Sequence, residues 1–342
     1  MNSMERFLTA AHGGTTDRAP VWLMRQAGRY LPEYQAVRAG HSFLEMCKTP
    51  TLAAEVSLQP WQRYGMDAVI FFCDILIPCE AMGLPLSYTD GAGPRLGPLM
   101  HSRDAVATLS IPDPVKTMPF VGETLKRLRA ELDGRAALIG FAGAPWTLAT
   151  YVLAGGSTTR REQVKEILTV NPQLLHDLLN KLTDTTIIYL KNQFDAGAQA
   201  LQLFDSWAGH LTPEEYAEFG LPYTQRILKA LHTDCDAPLT LFCQKAEHLL
   251  PLMAQSGADV LSIGEGTSIS QARQLAPQVK SFQGNLPPTL LRDGPISAIR
   301  EATQKMCKDG GTTGFIANLG HGVLKETPPE HVAAFVETVQ RS

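Results

Sequence analysis

The sequence predicts a single α/β domain over residues 1–342, a (β/α)8 barrel with its cleft at the C-terminal ends of the strands. Three observations predict it. Eight short apolar runs follow one another, longer amphipathic stretches separate them, and three helix-to-strand joins look alike. A doubly wound open sheet is the main rival architecture.

The runs are 20–25 (PVWLMR), 68–76 (AVIFFCDIL), 136–143 (AALIGFAG) and 200–206 (ALQLFDS), then 238–243 (PLTLFC), 259–263 (DVLSI), 280–285 (KSFQGN) and 313–319 (TGFIANL). Their hydrophobicity is continuous rather than alternating, which suits parallel strands covered on both faces. Between them, 161–195 holds two helical patterns split at Asn171-Pro172, with proline at the start of the second. Thr212-Pro213-Glu214-Glu215 supplies an N-cap, a proline at N1 and acids at the helix's positive end. Segments 247–255 and 270–276 add short helices. The joins Tyr64-Gly65-Met66-Asp67, Asp195-Ala196-Gly197-Ala198 and Gln255-Ser256-Gly257-Ala258 each place glycine where a helix ends and a strand begins. The Pro/Gly-rich segment 83–119 is an elaboration between the second and third strands, a loop or small excursion.

With 342 residues, 44% hydrophobic and 19% charged, the chain can bury a core without disulfides or a structural metal. Net charge is −4 with both signs spread along the chain, which argues against a nucleic-acid footprint or a polybasic membrane patch. No run approaches the ~18 apolar residues of a membrane span. Met1 to His12 lacks the apolar stretch of a secretory signal. The six cysteines form no CxxC pair and are expected to be reduced, as in a cytoplasmic enzyme.

In such a barrel the chemistry gathers at the C-terminal strand ends. The first strand ends at Arg25, followed by Gln26-Ala27-Gly28-Arg29, and the second runs out through Asp74. The third leads into Gly143-Ala144-Pro145-Trp146 and Tyr151, and the fourth ends with Asp205-Ser206. The fifth is followed by Gln244-Lys245 and the eighth by Gly320-His321-Gly322. Arg25 and Arg29, four apart, would share a face of a helical turn, and on a surface helix would pair with carboxylates or water. Directly after an apolar run and beside Gly28, they suit bidentate binding of a carboxylate. Asp74, between Phe72, Cys73, Ile75 and Leu76, must find donors or shift its pKa; capping a nearby backbone is the alternative use. Tyr151 and Ser206 could equally satisfy local backbone groups, and His321 could serve only a glycine turn.

Several chemistries lack their motifs. HExxH, GxxxxGK[ST] and GxSxG do not occur, and no histidine has a zinc spacing with cysteine. Gly91-Ala92-Gly93-Pro94 follows no clear strand, and Gly264-Glu265-Gly266 is not a dinucleotide fingerprint.

With these residues in view, PVWLMRQAGRYLPEY (20–34) and FFCDILIPCEAMG (71–83) resemble the signatures of the uroporphyrinogen decarboxylases. GFAGAPWTLATYVLAGG (140–156), LQLFDSWAG (201–209), QGNL (283–286) and ANLGHGV (317–323) resemble further family blocks in the expected order. The resemblance implies a homodimeric, cytoplasmic (β/α)8 enzyme of haem synthesis with no metal or prosthetic group. Its reaction removes four acetate carboxyls of uroporphyrinogen III, giving coproporphyrinogen III. Arg25, Gln26, Ala27, Gly28 and Arg29 would form the loop that grips substrate carboxylates, with Arg38 and Phe43 along the same arm. Asp74 would accept from the pyrrole N–H groups and, with Arg25, act in catalysis. Tyr151, Ser206 and His321 would contact the acetate and propionate chains.

The chain departs from the family pattern in three places. Ala246-Glu247-His248 follows Lys245 where glycines are common, and Gly264-Glu265-Gly266-Thr267 stands where an Asp-Trp-Thr-type stretch is common. Pro287 follows QGNL where an acid is frequent. Two other readings share the fold. A zinc-dependent corrinoid or thiol methyltransferase would carry His-x-Cys at the end of the fifth strand, where this chain has Leu241-Phe242-Cys243. A non-catalytic tetrapyrrole carrier would bind without releasing CO2.

Overall fold

In the computed structural model, which describes residues 1–89, 93–98, 100–156 and 161–342 (side chains of 161–163 excepted), seven of the eight apolar runs become parallel strands. They are β1 (Ala68–Ile70), β4 (Ala137–Gly143), β5 (Ala200–Asp205), β6 (Leu239–Cys243), β7 (Val260–Ser262), β8 (Ser281–Leu286) and β9 (Phe315–Leu319). They pair in that order, each strand with the next along the chain. An antiparallel hairpin, β2 (Leu86–Thr89) with β3 (Gly93–Leu96), lies apart from this sheet. The described residues of segment 83–119 form β2, β3 and the helices Arg103–Ala107 and Pro114–Thr117. Gly91 and Ala92 of the Gly91-Ala92-Gly93-Pro94 stretch lie outside the described residues.

The remaining run, 20–25, closes the sheet without becoming a strand. It bridges Ala317 of β9 through Val21, and Asp67, just before β1, donates its N–H to Val21 O at 2.8 Å. Side chains intercept its own N–H groups. Val21 N donates to Asp67 Oδ2 (2.9 Å), Leu23 N to Gln26 Oε1 (3.1 Å) and Met24 N to Asn318 Oδ1 (3.1 Å). Pro20 has no N–H to offer. A regular ladder cannot form where its donors are taken, so the eighth position is an extended seam.

The second run also shortens. Ladder pairing stops at Ile70, and Phe71 N makes one more bond, to Ile139 O at 3.3 Å. Ser57 Oγ takes the next N–H, that of Phe72, at 2.7 Å. Asp74 thus lies in a loop beyond β1, not at the strand's end as the sequence suggested.

Side chains alternate across each strand, so Ala68, Ala137, Ile139, Ala200, Phe242, Val260 and Ile316 meet Trp22 inside the barrel. Helix Ser3–Ala11 closes the lower end with Phe7, Ala10 and Ala11 in the same cluster. A polar layer crosses the interior: Trp22 Nε1 donates to Gln283 Oε1 at 2.8 Å, and Gln283 Nε2 donates to Ser262 Oγ at 2.9 Å and Gln202 Oε1 at 3.2 Å. Local signals hold elsewhere. Helices Arg161–Val170 and Pro172–Asp195 split at Asn171, and Thr212 and Glu215 form a reciprocal capping box for Pro213–Phe219. Segment 247–255 is a 3-10 turn, Glu247–Leu249, followed by the short helix Leu250–Met253, and 270–276 falls within helix Ile269–Leu275. The junction glycines Gly65, Gly197 and Gly257 have φ of 65°, 115° and 88°, backbone that a Cβ disfavours.

Candidate active site

Strand parity puts aromatic rings at the top of the barrel. Two residues beyond Ile139 and four beyond Ala200 on the same faces stand Phe141 and Phe204, and Phe204 pairs with Phe242 across β5 and β6. Ring centroids run Phe71–Phe141 (5.0 Å), Phe141–Phe204 (5.7 Å), Phe204–Phe242 (5.8 Å) and Phe242–His321 (5.8 Å). The result is an aromatic floor that ends at a histidine. The motif reading missed Phe141, Phe204 and Phe242 as a floor; their shared parity at adjacent strand ends was the signal.

Cations gather at the His321 end. Arg25 has φ of 60°, a left-handed backbone for a non-glycine residue, and its side chain lies over Gly322 so closely that a Cβ there would clash. The side chain stays solvent-accessible inside a rim of protein atoms. That partial enclosure, then the charge of Arg29, lowers its pKa, while Tyr151 raises it. His321 is pushed down to about 4 by burial, then by Arg25 and Lys245. It is therefore neutral near pH 7, and Nδ1 accepts from the Gly322 N–H. Lys245, exposed and with φ of 51°, adds a cation at this rim.

Asp74 forms the opposite anchor. Leu76 N donates to Oδ1 at 2.7 Å and Tyr88 OH to Oδ2 at 2.5 Å. Its side chain is deep but not sealed. Desolvation raises its pKa, and the bonds from Tyr88 and Leu76 pull it back. Tyr151 lies within electrostatic reach of both Tyr88, which holds Asp74, and Arg25.

The other expected residues divide. Phe43 opens helix Phe43–Lys48 and packs its ring on Phe72 (5.6 Å) and Tyr88 (4.9 Å), beside Asp74. Tyr151, on helix Pro145–Ala154, is half-buried with its ring 6.1 Å from Trp207, next to the half-buried Ser206. Ala27 and Gly28 are half-buried in the turn, and Gly28 O accepts from Leu31 N at 3.0 Å. Arg29 is exposed. Arg38 is half-buried, farther along the arm, and donates to His41 O at 2.7 Å. Gln26 differs. It is fully buried, accepting from Leu23 N and donating to Ala68 O at 3.2 Å, so its side chain braces the Arg25 turn instead of reaching the cleft.

Asp205 also departs from the expectation that strand-end polar groups share one mouth. Parity turns it outward from β5, where Oδ1 accepts from Thr147 Oγ1 at 2.6 Å and Oδ2 is buried without a hydrogen bond. Burial pushes this carboxyl from 3.8 up to about 7, against the pull of Thr147. The folded chain then holds a proton that the unfolded chain has lost between roughly pH 4 and 7. Stability from this group is complete below the unfolded pKa and is lost as pH rises through the folded one. Asp205→Asn is expected to remove roughly 2–3 kcal/mol of pH dependence between about pH 5 and 8, at about 1.4 kcal/mol per unit. Urea unfolding at both pH values measures it; an unchanged slope would mean that the carboxyl titrates normally.

The two atypical loops fit each other. A Cβ at Gly264 or Gly266 would press on Glu247 Oε1, at 2.9 and 2.6 Å, so this chain's glycines make room for its own Glu247. Asn285 Nδ2 ties the second loop down by donating to Gly264 O (2.8 Å) and Thr267 O (2.6 Å).

The family model of Uroporphyrinogen decarboxylase (URO-D) matches residues 2–342. A uroporphyrinogen decarboxylase of Syntrophotalea carbinolica is 45% identical over 335 residues, covering 98% of this chain and 97% of its own. One from Thioalkalivibrio sulfidiphilus is 43% identical, covering 99% and 97%. Among solved structures, a methyltransferase from Methanosarcina mazei superposes with a TM-score of 0.83 at 20% identity, covering 100% of this chain and 99% of that one. That likeness establishes the barrel fold, while the sequence matches run the length of the chain. The chain belongs to the uroporphyrinogen decarboxylase family.

Proposed function

We propose that this chain is a carboxy-lyase that converts uroporphyrinogen III to coproporphyrinogen III by removing its four acetate carboxyls as CO2. The observation that carries the reading is the row of aromatic rings from Phe71 to His321, with Asp74 in the loop that follows Phe71 and the cations Arg25 and Lys245 beside His321. A tetrapyrrole ring suits the floor, its N–H groups suit Asp74, and its peripheral carboxylates suit Arg25, Arg29 and Arg38. Tyr151, Ser206 and His321 contact the acetate and propionate chains, and Phe43 packs at the Asp74 side. Ala27 and Gly28 contribute backbone, and Gln26 acts by holding the Arg25 turn.

Loss of CO2 leaves carbanion character on a carbon attached to a pyrrole. Protonation of that pyrrole first makes a cationic electron sink; the C–C bond electrons flow into it as CO2 leaves, a proton is then added to the exocyclic carbon, and the ring gives its own proton back, so one proton replaces each carboxylate. The Asp74 carboxylate beneath the N–H groups stabilises the cation in a water-poor cleft. Arg25 orients the departing carboxylate; a guanidinium is too weak an acid to be the ready proton source.

Family membership supports a homodimer, which sedimentation at micromolar concentration tests. The scattered cysteines, all free, support a reducing cytoplasm. No helix among the described residues is long and apolar enough to cross a membrane. The alternative reading as a zinc-dependent methyltransferase is not favoured: Leu241 stands at the first position of the His-x-Cys pair it would need, and Cys243 is buried with its thiol pushed well up.

Anaerobic incubation with uroporphyrinogen III, followed by oxidation and separation of the porphyrins by carboxyl number, tests the activity. Species with seven through four carboxyls support it. Persistence of the eight-carboxyl species with folded protein overturns it. In the same assay Arg25→Ala is expected to lower kcat/KM roughly 10²-fold, the scale of a lost charge-stabilising contact. Its unfolding midpoint should stay near wild type, because the side chain is accessible. A full loss of fold with normal turnover in the folded fraction would make Arg25 structural.

A further inference from the structure

We propose that Tyr88, outside the family motifs quoted above, is a positioning residue for Asp74: its hydroxyl fixes the plane of the carboxylate and keeps its open lone pairs aimed into the cleft. The inference deepens the decarboxylase reading and rests on it for the substrate.

Three elements determine where the hydroxyl sits. β2 carries Tyr88 opposite Pro94 of β3. Leu96 N, at the end of β3, donates to Gly155 O at 3.2 Å, which seats the hairpin on the end of the helix that holds Tyr151. Phe43, itself packed on Phe72, places its ring against the Tyr88 ring at 4.9 Å with an interplanar angle of 62°. The Tyr88 ring therefore has little freedom, and its hydroxyl reaches Asp74 Oδ2 at 2.5 Å.

An ionised carboxylate offers about four acceptor positions. Leu76 N–H fills one on Oδ1 and Tyr88 OH one on Oδ2, which leaves one on each oxygen for N–H donors of a ligand. With Leu76 alone, the terminal torsion of aspartate is broad and the carboxylate can turn. The Tyr88 bond also favours the charged form, against a desolvation that remains the larger effect.

The other titratable groups facing Asp74 are Cys47 on helix Phe43–Lys48, Cys73 beside it in the loop, Cys79 on helix Ile77–Ala81 and Tyr189 on helix Pro172–Asp195. Cys79 is pushed up to about 12, and Cys47 and Tyr189 well above their ordinary values, so these three are neutral near pH 7. Removing the Tyr88 hydroxyl deletes a bond to the ionised form and leaves burial in place. The pKa of Asp74 should rise, and the acid limb of turnover should move to higher pH.

Tyr88→Phe keeps the ring and removes the donor. The acid midpoint of kcat/KM is expected to rise by about one pH unit and kcat to fall roughly tenfold near neutrality, with a smaller change in KM. In an Asp74→Asn background the same substitution should have no further effect. A Tyr88→Phe profile that superposes on wild type overturns the proposal. The carboxyl can also be followed without turnover. The infrared difference between wild type and Asp74→Asn reports its titration, and its midpoint should rise in Tyr88→Phe. An unmoved band overturns the proposal whatever the substrate; a moved band with no wild-type turnover overturns only the decarboxylase reading. Should Tyr88→Phe fail to fold, 3-fluorotyrosine at position 88, a stronger donor, should shift the midpoint down, and no shift overturns the proposal.

Discussion

Asp74→Asn is expected to fold and to lose about 10²–10³-fold in kcat, the scale seen when one preorganised charge-stabilising group is removed. The amide is nearly isosteric: its oxygen can still accept from Leu76 N, which donates to Asp74 at 2.7 Å, while its nitrogen donates to the Tyr88 hydroxyl, which turns from donor to acceptor. What disappears is the negative charge that the proposed mechanism sets beneath a ring as it becomes cationic. Substrate binding, in which the pyrrole rings are still uncharged, should suffer less, so the loss should fall on kcat more than on KM. Porphyrin separation under single-turnover conditions measures it, with thermal unfolding as the control. Full activity would remove Asp74 from the mechanism and leave the cations at the other end of the cleft as the active group.

The second large effect concerns the seam. Asp67 is fully buried and accepts four bonds: Arg6 Nη1 (2.8 Å), Arg18 Nη1 (2.8 Å), Arg18 Nη2 (3.0 Å) and Val21 N (2.9 Å). Arg6 is also held by Asp17, at 2.6 and 2.8 Å, so the network joins the first helix, the seam and the residue before β1. Asp67→Ala leaves two enclosed guanidinium groups short of a partner and the Val21 N–H unpaired. Breaking a buried pair from one side costs about 3–5 kcal/mol. Urea unfolding should show a lower midpoint at an unchanged m-value. Asp67→Asn, which retains an oxygen for Val21, should cost less than Asp67→Ala. A loss below about 1 kcal/mol for the alanine variant would mean that the network is screened as a surface pair is.

Much of the barrel is legible because its signals are local. Continuous apolar runs, the Asn171-Pro172 break, the Thr212 and Glu215 box and the three junction glycines each depend on residues a few positions apart. The structure reproduces them because short-range hydrogen bonds and backbone preferences do not wait for the rest of the chain. The candidate motifs were legible too, and Arg25 lies within electrostatic reach of both Tyr151 and His321.

Tertiary contact decided what those signals leave open. Segment 20–25 is apolar enough for a strand, yet Asp67 and Asn318, distant in sequence, take its N–H groups and leave an irregular seam. Ser57 similarly shortens β1 and sets Asp74 out in a loop. Parity around the closed barrel turns Asp205 away from the mouth and brings Phe141, Phe204 and Phe242 into one floor, while the Arg25 turn draws Gln26 inward. Tyr88 meets Asp74 only because a hairpin folds back over a helix end. The sequence by itself determined the repeat of elements and the residues available for chemistry. Closure of the barrel decided their partners, because a buried polar group bonds to whatever lies within about 3 Å in space, and that distance exists only in the folded chain.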